Sequence, residues 1–317
     1  MDVLSDLLQR AQAADVVVRQ IIARPPWSVM YADVPSLTVV ATLGGSASLR
    51  TGDGVPVSLA AGDIALVSRV DSYTVADSAA TPASYMIRGG RKYTLDGEPV
   101  EWNEYLAPRT YGDGLPGATT MVRGAYDLRG DVGKRLLDLL PPVAVVPAAE
   151  QTRPALDMLT TEVAREEPGQ DAVLRRLLDF VLVLALRAWC ARPEAELPSW
   201  YHALTAPAVG DALRQIHEDP ARRWTVAELA ALTNLSRATF AARFTTLVGQ
   251  PPLTYLTAWR MTVAADLLRD TTQTIASIAR EVGYDDPFAF STAFKRTHHQ
   301  SPTEWRHASG LPVRPGR

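Results

Sequence analysis

Cysteine is nearly missing from this chain. The 317 residues include one, Cys190, so an intrachain disulfide and a cysteine-based metal site are both excluded. It ends an apolar run and is read as a small buried hydrophobe rather than a redox thiol. Histidine is scarce as well: the five lie at positions 202, 217, 298, 299 and 307. The first 200 residues therefore offer no imidazole for a divalent transition metal, and neither a metal nor another cofactor is expected. No apolar run reaches ~18 residues. The opening MDVLSDLLQRAQAADVVV is acidic and amphipathic, unlike a charged-then-apolar leader. A cytoplasmic protein with no membrane partner is expected. Charge of one sign is lacking too: the net is −3, with 21% charged and 47% hydrophobic residues, the composition of an ordinary globular protein long enough for two or three units with cores.

The near-neutral total hides two unlike parts. Residues 210–317 hold 13 Lys and Arg against 10 Asp and Glu, whereas residues 1–209 hold 19 against 25. The basic part is also where the chain repeats itself. Thr225, Leu229, Ala230 and Asn234 recur 49 residues later as Thr274, Ile278, Ala279 and Gly283. Phe240, Phe244, Gln250 and Pro252 recur 50 residues later as Phe290, Phe294, Gln300 and Pro302.

Each copy reads as a short helix, a tight turn and a second helix. Thr225 with Glu228 three residues on has the spacing of a capping box, and Thr274 opens the second copy. Asn234 and Gly283 stand at the turns, where a left-handed backbone is tolerated. Ser236 caps one second helix, and Asp286 followed by Pro287 starts the other. The paired phenylalanines, four apart, put two rings on one buried face. Between the copies, Leu253, Leu256, Trp259, Val263, Ala264, Leu267 and Leu268 form an apolar stripe, predicting a rigid connecting helix over 252–269. The arrangement is a doubled helix-turn-helix, a unit whose second helix can enter the DNA major groove. Helical hairpins serving only as structure, or holding a protein partner, are the alternative.

The strings TVAELAALTNLSRATFAARFTTLVGQPPLTYLTAWRMTVAADLL and TIASIAREVGYDDPFAFSTAFKRTHHQSPTEWR resemble the DNA-binding domain of AraC/XylS-family transcription regulators over roughly residues 205–310. The resemblance implies double-stranded DNA as partner, a homodimer, and contact with RNA polymerase if the protein is an activator. With the phenylalanines buried, Ser236, Arg237, Ala238, Thr239, Ala242, Arg243 and Thr245 are the DNA-facing candidates of the first copy. Phe288, Ala289, Thr292, Lys295 and Arg296 are those of the second. Arg243, Arg260, Lys295, Arg296, His298 and His299 are candidates for phosphate contact. Members of the family commonly carry arginine at the positions of Ala242 and Thr292. This chain lacks both, and with them the arginine–guanine pair that gives ~1–3 kcal/mol of discrimination. The expectation is AT-containing half-sites, read through thymine methyls, phosphates and DNA shape.

The first 130 residues read as short alternating runs broken by glycine, proline and aspartate. Strand candidates are 36–42, 47–50, 55–59, 64–68 and 73–75, with turns at 51–54 and 61–63. Such spacing favours a small antiparallel barrel. The stretch TVVATLGGSASLRTGDGVPVSLAAGDIALVSRVDSYTV resembles the cupin-type sensor domain that precedes this kind of DNA-binding domain. Where that resemblance leads one to look for metal-binding histidine, Thr38 and Tyr73 stand instead, so a cupin enzyme is disfavoured; the barrel is expected to bind a small organic effector, with a plain scaffold as the alternative. Trp27, Tyr31, Arg69, Tyr73, Tyr85 and Arg88 are the candidate lining, against core packing or surface placement as the plain alternative. Residues 89–115 fit a lid or a partly mobile excursion, and the sequence does not decide their role.

Helices over about 131–139, 150–167 and 171–191 follow, the last apolar around most of its circumference and so either packed inside the monomer or forming a dimer seam. The expected organisation is α+β: an N-terminal antiparallel, cupin-like β-barrel (1–130), a helical dimerisation region (131–192), a linker (193–204) and an all-α domain with two helix-turn-helix units (205–310). The expected mechanism is transcription control by a ligand that shifts the population of DNA-competent states, with the two reading heads in successive major grooves about 34 Å apart.

Overall fold

The computed structural model describes residues 2–11, 14–101, 105–107, 109–114, 116–163 and 165–308. The chain divides into two compact units, and they do not follow the expected boundaries. One comprises Ala13–Leu128 and Leu139–Glu196; the other gathers Met1–Gln12, Arg129–Asp138 and Leu197–Arg317. Helices α1 (Val3–Arg10) and α2 (Gly130–Leu137), which bracket the main run of strands in sequence, thus belong with the C-terminal helices.

The first unit is a sandwich. Its outer-edge-to-edge order in one sheet is β11 (Tyr105–Ala107), β12 (Thr110–Gly112), β1 (Ala14–Ala23), β13 (Thr119–Asp127), β3 (Leu37–Gly44), β6 (Ile64–Ser68) and β14 (Val143–Val146). The other runs β10 (Pro99–Val100), β9 (Arg91–Tyr93), β8 (Tyr85–Arg88), β2 (Ser28–Ala32), β7 (Ser72–Ala76), β4 (Ser46–Arg50) and β5 (Val57–Ala60). The expected strands are present within a residue or two, and the α+β class holds. The sheets remain two layers rather than closing into a barrel. Nor are they wholly antiparallel: β1 runs parallel to β12 and β2 parallel to β8.

Burial follows the pattern of the strands. In β4, Ala47 and Leu49 point inward and their neighbours do not, which is the alternation of a strand with one buried face. β6 is buried at every position, because helices α3 (Arg153–Val163) and α4 (Gln170–Cys190) pack on the outer face of the first sheet. Trp27, Val29, Tyr31, Val40, Leu49, Leu59, Tyr73, Val75 and Met121 form the core between the sheets. Helix α4 spends its apolar residues largely inside this unit: Leu174, Leu178, Val181, Leu182, Ala185, Leu186 and Cys190 are buried, while Val173 and Phe180 are exposed. The described residues of the 89–115 segment include strands β9 to β12; positions 102–104, 108 and 115 lie outside the described residues.

In the second unit, α5 (Ser199–His202) falls within the expected linker and is followed by α6 (Val209–Glu218), α7 (Val226–Ala231), α8 (Arg237–Val248), α9 (Pro252–Asp270), α10 (Ile275–Glu281), α11 (Pro287–His298) and α12 (Pro302–Ala308). Connector α9 buries Tyr255, Leu256, Trp259, Met261, Val263, Ala264, Ala265 and Leu268. Leu253, placed on its apolar stripe from sequence, is exposed instead, while Pro252, Tyr255 and Leu256 beside it are buried.

Helices α1 and α2 are fastened to α6 and α9 by polar contacts. Asp266 on α9 accepts the backbone N–H groups of Asp131 (2.8 Å) and Val132 (3.0 Å), capping α2 from another helix. Asp6 on α1 lies 3.1 Å from His217 Nδ1, and His217 Nε2 lies 2.8 Å from the Tyr255 hydroxyl. Arg135 on α2 donates to the same hydroxyl at 2.7 Å. One tautomer satisfies the chain: Nδ1–H donates to Asp6, and Tyr255 donates to Nε2 while accepting from Arg135.

Candidate nucleic-acid interface and ligand cavity

The two helix-turn-helix units are built by local chemistry. At the first, Thr225 accepts from the Glu228 backbone while Glu228 reaches back to the Thr225 N–H, completing the capping box. Thr274 caps α10 by accepting from the Ser277 N–H. Ser236 caps α8 through the Thr239 N–H, and Asp286 caps α11 through the N–H groups of Phe288 and Ala289. The turns take the left-handed backbone where expected, with φ 54° at Asn234 and 84° at Gly283. Gly283 also has no room: a Cβ there would stand 2.4 Å from the Ala221 carbonyl oxygen.

Phe240, Phe244, Phe290 and Phe294 are fully buried, each such ring being worth roughly 1.5–3 kcal/mol of burial. They fix the rotation of α8 and α11 about their own axes. Ser236, Arg237, Ala238, Thr239, Ala242, Arg243 and Thr245 are consequently exposed on the first helix, and Phe288, Ala289, Thr292, Lys295 and Arg296 on the second. Phe288 is 83% exposed, unlike the other phenylalanines of α8 and α11. An accessible ring at the N-terminal end of α11 is not explained by the packing of the unit. The exposed threonines turn their hydroxyl protons back on the helix: Thr245 donates to the Ala241 carbonyl at 2.8 Å and Thr292 to that of Phe288 at 2.9 Å. Each keeps a methyl and an acceptor oxygen for an incoming surface.

Two of the sequence candidates for phosphate contact are committed elsewhere. Arg260 donates to the carbonyls of Pro220 (2.6 Å) and Arg222 (2.8 Å) and lies over the Tyr284 ring, so it ties the loop before α7 to α9. His298 packs between Phe294 and Trp305 and lies 3.3 Å from the Met261 carbonyl oxygen. Helical spacing marks both as outward-capable; only the tertiary neighbours show that they face in. Arg243, Lys295, Arg296 and His299 remain exposed.

In the sandwich, a cavity of about 510 Å³ opens between the sheets. Tyr31 and Tyr85 line it, as expected, and Trp27 and Tyr73 line its narrow inner continuation. Arg69 does not: its side chain donates to the Leu140 carbonyl at 2.5 Å. Arg88 does not either, being paired with Asp33 at 3.0 Å. Among the lining residues missed from sequence are Arg19 and Arg123, the latter on the middle of β13. Its Nε donates to the Tyr73 hydroxyl at 2.6 Å and its guanidinium lies 4.5 Å from the centre of the Tyr31 ring. Tyr31 and Tyr73 stack, with centres 5.0 Å apart, and burial raises the pKa of both above the usual phenol range. Both phenols are therefore neutral donors at physiological pH. Only the alternation Met121, Arg123, Ala125 along β13 hinted at this placement.

Comparison with known proteins agrees with both halves of this architecture. A cupin family model matches residues 2–191 and a helix-turn-helix domain model matches residues 229–308. The chain is 33% identical to a putative AraC-like transcription regulator of Streptomyces antibioticus, with 96% of this chain and 98% of the relative covered. A putative AraC-like transcription regulator of Streptomyces lividans is also 33% identical, over 98% of this chain and 100% of its own length. The HTH-type transcriptional regulator AlkR of Acinetobacter baylyi is 31% identical over 84% of this chain and 86% of its own. With a capped and doubled helix-turn-helix behind a cupin-type sandwich, and relatives of this kind along nearly its whole length, the chain belongs to the AraC-like transcription regulators, DNA-binding proteins.

Proposed function

We propose that this regulator reads DNA with α8 and α11 as paired heads and is tuned by a small organic effector in the sandwich cavity. The observation that carries the DNA reading is the phenylalanine pairing, which turns the same face of each helix outward and leaves Arg243, Lys295 and Arg296 exposed beside it. The heads enter successive major grooves about 34 Å apart. With no arginine at Ala242 or Thr292, and with threonine hydroxyls turned to the backbone, sequence is read through thymine methyls facing Thr292 and Phe288, and through DNA shape. AT-containing half-sites follow.

The effector acts by its differential affinity for two arrangements of the protein, and by no more than that. No enzymatic turnover is assigned to the cavity: all five histidines lie outside its walls, so an imidazole-held metal has no donors there. Exposed Val173 and Phe180 on α4, with Met158 on α3, support a homodimer through this face. An activator of this form works in the cytoplasm and contacts RNA polymerase.

The test is a mobility shift of the full-length protein on its own upstream DNA, at two salt concentrations and with competitor DNA. A specific complex that weakens steeply with salt is expected. Selection from random DNA should return AT-containing half-sites. Guanine-anchored half-sites contacted by α8 and α11 overturn the base-reading proposal, and a genome-wide failure to bind specifically turns the paired helices into a protein-binding surface.

A further inference from the structure

The charge inside the cavity is out of balance. Its wall carries the side chains of Arg19, Arg91 and Arg123 against one carboxylate, Asp33, and Asp33 is already bridged by Arg88 at 3.0 Å. Arg19 on β1 and Arg123 on β13 are register partners across the sheet, and both face the same space. Like charges directly opposite on neighbouring strands repel.

Arg123 is the more telling of the two. Its Nε bond to Tyr73 and its position over Tyr31 orient the guanidinium, while among the described residues its two terminal nitrogens meet no acceptor. Arg19 spends Nη1 on the Val18 carbonyl at 2.9 Å and likewise meets no carboxylate. A half-buried guanidinium without a counter-ion is costly. Neutral tyrosines and a ring face offset only part of that cost. The remaining walls are apolar or aromatic, among them Ile21, Val29, Ile87 and Ala125. They offer few of the polar groups that a sugar or a nucleotide needs for its many hydroxyls.

From this we infer that the cavity takes a small organic carboxylate, its charge gripped by the terminal nitrogens of Arg123 and its hydrocarbon or aromatic body laid against Ile21, Val29 and Ile87. The planar fork of arginine suits a carboxylate with two parallel bonds. The volume of about 510 Å³ falls within the range of pockets that enclose such molecules. The inference rests on the effector reading of the cavity and gives that effector a chemical class.

The experiment is calorimetric titration of the full-length protein with benzoate, 3-phenylpropanoate and octanoate, each beside its uncharged primary amide, up to concentrations of about 5 mM. At least one carboxylate should bind about tenfold to a hundredfold more tightly than its amide, the worth of a charge-assisted pair. Arg123→Gln should erase that preference, whereas Arg50→Gln, an exposed arginine outside the cavity wall, should keep it. The comparison of acid with amide uses the native protein, so it decides even if Arg123→Gln fails to fold. Amides that bind as well as the acids overturn the carboxylate assignment and leave the effector reading standing. If no probe of either kind binds, both fall.

Discussion

His217 gives the sharpest expectation for acid conditions. It is fully buried between Asp6 on α1 and Tyr255 on α9, with its ring 4.2 Å from that of Trp259. Desolvation in that setting lowers its pKa from 6.5 to about 4, opposed by the hydrogen bond to Asp6 and reinforced by nearby Arg135. Between those values the unfolded chain binds a proton that the folded chain refuses. Stability associated with neutral His217 is therefore fully present above about pH 6.5 and is lost as pH falls toward 4. At 1.36 kcal/mol for each pH unit of difference, the loss approaches about 3 kcal/mol at pH 4. Carboxylates raised by burial, Asp266 and Asp179 among them, pull the other way, so the raw pH profile mixes several groups. Comparing the native protein with His217→Gln cancels them. The stability gap between the two in urea unfolding should narrow by about 3 kcal/mol from pH 7.5 to pH 4, and the His217 imidazole should stay neutral by NMR to near pH 4. An imidazole that titrates near 6.5, or a gap that does not change with pH, refutes the reasoning.

Other perturbations have equally definite outcomes. Gly283→Ala forces a side chain into a left-handed turn and against the Ala221 carbonyl; it should cost about 1–3 kcal/mol or more and abolish specific DNA binding, as read by thermal unfolding and mobility shift. Asp266→Ala strips two N–H groups of α2 of their cap and should cost about 1–2 kcal/mol, with faster hydrogen exchange over 129–138. Replacing Arg243, Lys295 or Arg296 by Gln, one at a time, should leave unfolding unchanged and reduce the slope of log affinity against log salt by about 0.9 for each one that touches a phosphate. Arg260→Gln should instead weaken folding, because its guanidinium holds the carbonyls of Pro220 and Arg222; an unaltered stability with a changed salt slope would contradict that assignment.

The residues alone carried the DNA-reading half of this protein. Capping at Thr225, Ser236, Thr274 and Asp286, the left-handed turns at Asn234 and Gly283, and phenylalanines four apart all act within one or two helical turns, so spacing along the chain is enough to place them. The outward faces of α8 and α11 followed from the same geometry. The scarcity of histidine and cysteine likewise bore on chemistry without any need for coordinates. What the chain folds these parts against was decided only in three dimensions. Strand β1 pairs with β13 across about a hundred positions, setting Arg19 opposite Arg123, and no local pattern records such a pairing. Arg88 turned away from the cavity and Arg123 into it, and strand alternation gives two sides without telling which of them is enclosed; Arg69 stands in the bend after β6, where no alternation applies. Arg260 and His298 looked like surface cations until their partners from distant segments appeared. The docking of α1 and α2 was equally hidden. Asp6, Arg135, His217 and Tyr255 come from four separate stretches of sequence, and a buried polar network exists only where packing removes water and leaves each group to find its partner in another.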